Sequence, residues 1–334
     1  MRTRRIGSRE VSELGFGCMS LSHAYGVPPD RETAQDVLRA AVELGITHFD
    51  TAALYGFGRN EELVGATLEP FRERIVLTSK CGMTGVDSKR VIDGRPETLK
   101  RTCHESLERL KTDCIDLYYL HRWDKKVPIE DSVGALADLV AAGDVRAIGL
   151  SEVSAATLRK AHAVHPITAV QSEYSLWTRN PEVALLDACR ELRIALVAFS
   201  PLGRGFLAGG IRDPAILNDK DIRRSMPRFQ TPHFERNLAL LEGLERLSQE
   251  AGCTKAQLAL AWLLFKAPFV APIFGTTSVE HLKENLGALS VQLPPDVLVR
   301  VETLINAATV SGARYSSQTQ AEIDTEDPAP GTRN

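Results

Sequence analysis

The chain has 334 residues, 43% of them hydrophobic and 25% charged, and 40 Lys+Arg against 43 Asp+Glu leave a net charge of −3. These are ordinary globular values, which exclude collagen-like, disordered and small disulfide-scaffold chains. The near balance of charge gives no electrostatic case for nucleic acid or a membrane surface as partner. No apolar run approaches the ~18 residues that cross a bilayer. The opening MRTRRIGSREVS has no apolar h-region, so no secretory signal is expected. The six cysteines are scattered without C-x-x-C. Their spacing predicts neither disulfides nor a metal cluster, and it favours a reducing cytoplasm.

In chain order, residues 2–12 read as a hairpin turning at Gly7 and Ser8, suited to plugging one end of a barrel. Eight short apolar runs follow, at 14–19, 46–51, 75–80, 115–121, 145–151, 169–174, 194–200 and 270–275, and each reads as a strand. Amphipathic helices are predicted over 31–44, 97–110, 131–142, 155–164 and 181–192. In the third of them Val133, Leu136, Ala137 and Val140 recur at spacings of three and four. Gly45 and Gly143 stand where C-caps are needed, and Pro181 stands at a first helical position. Residues 201–234 form a long Gly/Pro/Arg-rich loop, of a length that points to function or mobility. A further helix is predicted over 295–307. The polar tail, 311–334, is expected to be flexible unless it covers a site. Alternating βα units without a second compositional region predict an α/β fold, a (β/α)8 TIM barrel over 1–310. An open doubly wound sheet would need G-x-G-x-x-G, and Gly15–Ser20 fails at the third glycine.

Chemistry gathers just past the strand ends, which converge on one mouth of such a barrel. Asp50, Lys80, His121, Ser151, Glu152, Gln171, Ser200 and Thr276 stand there, with Tyr55 five residues beyond Asp50. Interior barrel positions are ordinarily apolar, so a polar ring with its desolvation cost points to function. An ammonium beside a tyrosine favours the phenolate, and a nearby histidine can hydrogen-bond a substrate oxygen. That equipment suits carbonyl reduction, with the hydride coming from a cofactor. Taken singly, Asp50 would read as a cap, Lys80 as a surface lysine and His121 as a core histidine. His162 and His165 lack a third ligand, so no metal is expected.

The segments LGFGCMSLS, HFDTAALYG, VLTSKCG, LYYLHRWD, VRAIGLSE, AVQSEYSLWTR, VAFSPLGRGFL and PIFGTTSVEHLKENLGAL run in order from residue 14 to residue 289. Together they resemble the aldo-keto reductase superfamily, NADP-dependent carbonyl reductases on a (β/α)8 barrel. The resemblance is strongest to the bacterial and plant-type branch related to potassium-channel β subunits. It implies a catalytic tetrad of Asp50, Tyr55, Lys80 and His121. Tyr55 would be the general acid, Lys80 paired with Asp50 its tuner, and His121 the group that orients the carbonyl. It also implies cofactor contacts from Gly17, Cys18, Met19 and Asp50, then from Ser151, Glu152 and Gln171 at the carboxamide. Tyr174 would stack on the nicotinamide. Ser200, Pro201, Leu202, Arg204 and Gly205 would lie along the pyrophosphate, and Gly275, Thr276, Thr277, Ser278, His281, Glu284 and Asn285 at the adenosine end. Aromatic candidates for the substrate wall are Tyr25, Trp123, Trp177, Phe206, Phe229 and Tyr315.

Two departures stand out. Glu152 replaces the usual Asn of the carboxamide site. Ser278 and His281 replace the lysine and arginine that often grip a ribose 2′-phosphate. NADPH remains the expected cofactor, with NADH use made possible by those losses. The expected partner is a small-molecule carbonyl compound, with oligomerisation open. The alternatives are a slow or non-catalytic NADP-binding regulatory subunit and a Schiff-base lyase using Lys80. Pairing with Asp50 opposes the lyase, since it would keep the amine protonated.

Overall fold

The computed structural model describes residues 2–86 and 89–327. Strands β1 (Thr3–Ile6) and β2 (Arg9–Ser12) pair antiparallel around Gly7. Gly7 has a φ of 59°, and a Cβ there would stand 2.7 Å from Thr168 Cγ2, so the turn needs glycine. Eight parallel strands close into a barrel: β3 (Gly15–Gly17), β4 (His48–Asp50), β5 (Val76–Cys81), then, after an antiparallel hairpin of β6 (Met83–Val86) and β7 (Lys89–Ile92), β8 (Leu117–Leu120), β9 (Ile148–Ser151), β10 (Ala169–Glu173), β11 (Ala195–Phe199) and β12 (Val270–Phe274). This is the (β/α)8 TIM barrel.

Helices surround it: α1 (Arg31–Glu43), α2 (Arg59–Leu68), α3 (Pro96–Leu110), α4 (Ile129–Ala142), α5 (Ala155–Val164), α6 (Leu185–Leu192), α7 (His233–Glu250), α8 (Lys255–Lys266), α9 (Val279–Leu286), α10 (Pro295–Leu304) and α11 (Ser317–Ala321). Their ends carry local signals. Asp30 accepts from Thr33 N at 2.8 Å, Thr254 and Gln257 form a capping box on α8, and Gly143 closes α4 at a φ of 87°. No helix among the described residues is long and apolar enough to cross a membrane.

Two apolar cores share the strands. The inner one joins Val76, Leu117, Tyr119, Ala169, Ala195, Val197, Ala271 and Ile273 to Ile6 and Val11, so the N-terminal hairpin seals the lower mouth. The outer one packs Phe16, Phe49, Leu77, Tyr118, Leu120, Val170 and Leu196 against the helices. Period-two alternation sorts the residues between the two cores.

Three expected boundaries are corrected. Pro181 lies in a 3-10 turn over Asn180–Glu182, and the helix begins only at Leu185. The loop from 201 is broken by short turns at Gly203–Gly205, Pro214–Ile216, Ile222–Ser225 and Pro227–Phe229, and α7 begins at His233. The final predicted helix stops at Leu304. The tail through Asp327 docks on the barrel. Asp324 Oδ2 accepts from Ser154 N (3.1 Å) and Thr157 Oγ1 (2.7 Å), and Glu326 Oε1 accepts from Ala155 N (2.6 Å). Both carboxylates thus sit at the N-terminus of α5, where unpaired N–H groups and the helix dipole favour negative charge. Residues 328–334 of the predicted tail lie outside the described residues.

Candidate active site

At the upper mouth, β4 and β5 lie side by side and present Asp50 and Lys80, both buried. Lys80 Nζ donates to Asp50 Oδ1, to Thr51 O (2.7 Å) and to Tyr55 Oη (3.3 Å). Asp50 Oδ2 accepts from Thr78 Oγ1 at 2.8 Å and from Gln171 Nε2 at 2.9 Å. The ion pair is therefore hydrogen-bonded on both sides, which a buried pair requires. Tyr55 opens a tight turn over Tyr55–Gly58 with positive φ at Gly56, Phe57 and Gly58. Its ring meets the His121 ring edge-on, with centroids 5.8 Å apart.

The electrostatics differ from a simple reading of the sequence. Burial raises the Tyr55 phenol above the ordinary tyrosine value, and the pull of Lys80 only partly offsets it. Burial also opposes the charge on Lys80, but Asp50 and Tyr55 outweigh it and its pKa is raised. His121 is held well below the usual histidine value by burial, then by the cations Arg122, Lys80 and Arg90. The site thus presents a neutral phenol backed by an ammonium, beside a neutral imidazole.

These groups open on a cavity of about 730 Å3. Gly17, Met19, Asp50, Tyr55, His121, Ser151 and Gln171 line it, together with Ser200, Pro201, Leu202, Arg204 and Gly205 on one side and Gly275, Thr276, Thr277 and His281 on another. An adjoining cleft of about 610 Å3 shares Thr276 and His281 and adds Glu284 and Asn285. The size suits a cofactor and a small substrate. Positive φ at Ser200, Gly203, Arg204 and Gly205 curls the loop after β11, a geometry that turns backbone N–H groups toward an anion. The donors and the shape of the wall fit a nicotinamide dinucleotide.

Other expected contacts are not on this wall. Cys18 is packed in the outer core. Glu152 is buried, accepts from Glu173 N at 2.9 Å and pairs with Arg314 of the C-terminal segment. Tyr174 packs edge-on against Trp262 and donates to Glu182 Oε1 at 2.6 Å, away from the cavity. Ser278 caps α9, accepting from His281 N at 3.3 Å. Among the aromatic candidates, Tyr25 and Tyr315 line the cavity. Trp177 instead stacks on Phe206 at 4.1 Å and meets Phe229 edge-on in the core, and Trp123 donates to Val127 O. The sequence reading missed Phe199, Arg90, Arg122, Ser316 and Thr319, all on the wall. Strand parity gives away Phe199, which follows Ala195 and Val197 inward on β11. Arg90 lies on β7 and Ser316 and Thr319 in the tail, where no motif marked them, whereas Arg122 stands inside LYYLHRWD, directly after His121.

The family model described as the aldo/keto reductase family matches residues 13–306. A Glycine max protein named "Probable aldo-keto reductase 1" is 45% identical over 311 residues, covering 92% of this chain and 89% of that protein. Among solved structures, a glycerol dehydrogenase of Gluconobacter oxydans superposes with a TM-score of 0.83 at 27% identity, over 94% of this chain and 98% of that one. An aldo-keto reductase of Bacillus halodurans in its holo form gives 0.78 at 29% identity, over 95% and 99%. The closed barrel, the polar mouth and the family match over nearly the whole chain agree: the chain belongs to the aldo/keto reductase family and is an oxidoreductase.

Proposed function

We propose that the protein reduces an aldehyde or ketone to an alcohol with NADPH, and that Tyr55 is the general acid. The observation that carries this reading is the buried Asp50–Lys80 pair ending on the Tyr55 hydroxyl at the cavity wall. When bound, the dihydronicotinamide would supply the hydride. Tyr55 would donate its proton to the carbonyl oxygen, and Lys80 would stabilise the phenolate left behind. His121, neutral, would hydrogen-bond the same oxygen and fix its orientation. Ser151 and Gln171 would hold the carboxamide, and the loop over 200–205 the phosphates. Phe199, rather than Tyr174, is the ring available to face the nicotinamide. We place the protein in the cytoplasm, in keeping with six unpaired cysteines. The raised pKa of Lys80 keeps it protonated, which opposes a Schiff-base role.

The test follows cofactor absorbance with a reactive aldehyde, comparing NADPH with NADH and wild type with Tyr55→Phe. Loss of general acid catalysis should lower kcat by roughly 10²–10⁴-fold while cofactor affinity is kept. Tight cofactor binding without turnover of any carbonyl would favour the regulatory-subunit reading instead.

A further inference from the structure

Among the described residues the cavity wall carries four arginines, and three of them are neutralised. Arg90 pairs with Glu322, Arg204 with Glu173 at 2.7 Å, and Arg223 with Asp221 at 2.6 Å. Arg122 has no ion-pair partner among the described residues. Its Nη1 donates to His121 O at 2.6 Å and to Ser151 Oγ at 3.3 Å, both uncharged acceptors. Its Nε is buried without a partner, and no protein acceptor meets Nη2 among the described residues. A half-buried guanidinium without a counter-ion is a standing cost, and burial lowers its pKa accordingly. Nη2, which meets no protein acceptor among the described residues, is the donor left for an oxygen of an anion, and the buried Nε beside it leaves the positive charge uncompensated. The guanidinium stands one residue from His121, and its own Nη1 bond to the His121 carbonyl holds it there.

We propose that Arg122 is a substrate-anion clamp, and that the preferred carbonyl substrate carries a carboxylate or phosphate close to the reacting carbonyl. This rests on the reductase reading above and narrows its substrate class. The clamp would fix the carbonyl against Tyr55 and His121 by holding the other end of a short molecule. It supplies orientation and specificity and takes no part in proton transfer. Glu322, the carboxylate whose charge acts on Arg122, is committed to Arg90, so no carboxylate among the described residues pairs with Arg122.

The experiment compares kcat/KM within matched pairs: 4-carboxybenzaldehyde against 4-cyanobenzaldehyde, succinic semialdehyde against butanal, and glyceraldehyde 3-phosphate against glyceraldehyde. The first two pairs report on a carboxylate and the third on a phosphate. Wild type should prefer the charged member of at least one pair by about tenfold or more, the scale of a charge-assisted hydrogen bond. Arg122→Met should erase that preference, and Arg122→Lys should restore part of it. Neutral partners used as well as charged ones in every pair, or a preference that survives Arg122→Met, would overturn the proposal. A tenfold loss of NADP+ affinity in Arg122→Met with an unchanged preference would overturn it too, by giving the arginine to the cofactor. If Arg122→Met fails to fold, Arg122→Gln takes its place, and the wild-type pairs decide independently. Calorimetric titration of NADP+-loaded wild type with benzoate and with inorganic phosphate needs no turnover. Binding of at least one, lost in the variant, is expected; binding of neither would sink the clamp. Wild type that turns over no carbonyl at all would instead refute the reductase reading, and the titration would still judge Arg122.

Discussion

Replacing Lys80 by methionine removes the one cation among the described residues that touches the Tyr55 hydroxyl, and its effect can be sized. Lys80 Nζ lies 3.3 Å from Tyr55 Oη. At an effective dielectric of about 20, a unit charge at that separation stabilises a full phenolate by about 5 kcal/mol. If half of that charge has developed at the transition state, the loss is about 2.5 kcal/mol, or roughly 60-fold in rate. The substitution also strands Asp50, and breaking a buried pair costs ~3–5 kcal/mol of stability. The hydrogen bonds from Thr78 and Gln171 reduce that cost here. The double variant Asp50→Asn with Lys80→Met removes both charges and separates the two effects: it should regain much of the lost stability and stay slow. The assay is single-turnover reduction at saturating cofactor, because release steps can otherwise limit kcat. Thermal unfolding is run on the same samples. A single-turnover rate within threefold of wild type in both variants would refute the idea that the ammonium eases proton transfer from Tyr55.

Other outcomes follow from the same structure. In the proposed mechanism reduction needs Tyr55 protonated and His121 neutral. The phenol is raised and the imidazole lowered, so kcat for reduction should be flat from about pH 6.5 to 9; a break near pH 6.5 abolished in a His121 variant would contradict this. Oxidation of the alcohol, which needs the phenolate, should instead rise with pH. His48 lies buried in the barrel with neither ring nitrogen hydrogen-bonded among the described residues, and burial pulls its pKa to about 4. The unfolded chain takes up that proton near pH 6.5, so stability is full above that value and is lost as pH falls toward 4, by about 2 kcal/mol between pH 7.5 and 5. Urea unfolding should show this loss in wild type, and His48→Gln with the same pH sensitivity would show that another group is responsible. His281 lines the cavity whereas Ser278 is spent as a helix cap, so His281→Arg alone should raise the NADPH-to-NADH ratio of kcat/KM by about tenfold or more. An unchanged ratio would mean that the 2′-phosphate lies elsewhere.

The barrel was legible in the sequence because buried parallel strands are short apolar runs, and because Asp50, Lys80 and His121 stand where three of those runs end. The helices that went unread had physical reasons to be obscure. Helix α8, KAQLALAWLLFK, is buried along most of its length and shows no polar face to betray its period. Helix α2 carries Gly65, which reads as a breaker. A Cβ there would stand 2.4 Å from Arg109 O, so the glycine marks a close approach to α3. The docking of the tail depends on Arg314 meeting Glu152 and Glu173, and Asp324 meeting the start of α5. Those contacts join residues more than 130 positions apart, and no local pattern announces them.

Three expected contacts that fall off the wall at strand ends, Cys18, Glu152 and Tyr174, have one cause in common, and it was readable. Matching motifs by position ignores the face of the strand. On β10, Ala169 belongs to the inner core and Val170 to the outer one, so Gln171 and Glu173 face inward and Tyr174 faces the helices. On β3, Gly15 abuts His48 and Ile273 of the interior, so Phe16 and Cys18 turn outward. On β9, Ile148 and Leu150 are outer residues, so Ser151 points into the mouth and Glu152 away from it. The same rule keeps Lys80, in step with Val76 and Thr78, and excludes Cys81. It selects Phe199, in step with Ala195 and Val197, as the aromatic ring at the mouth. A one-residue shift reverses every side chain of a strand. Parity from a single apolar anchor on each strand is therefore a stricter filter for barrel active-site residues than motif position. It admits every member of the Asp50, Lys80, His121 and Gln171 set, and it rejects Cys18, Glu152 and Tyr174 without any reference to a relative.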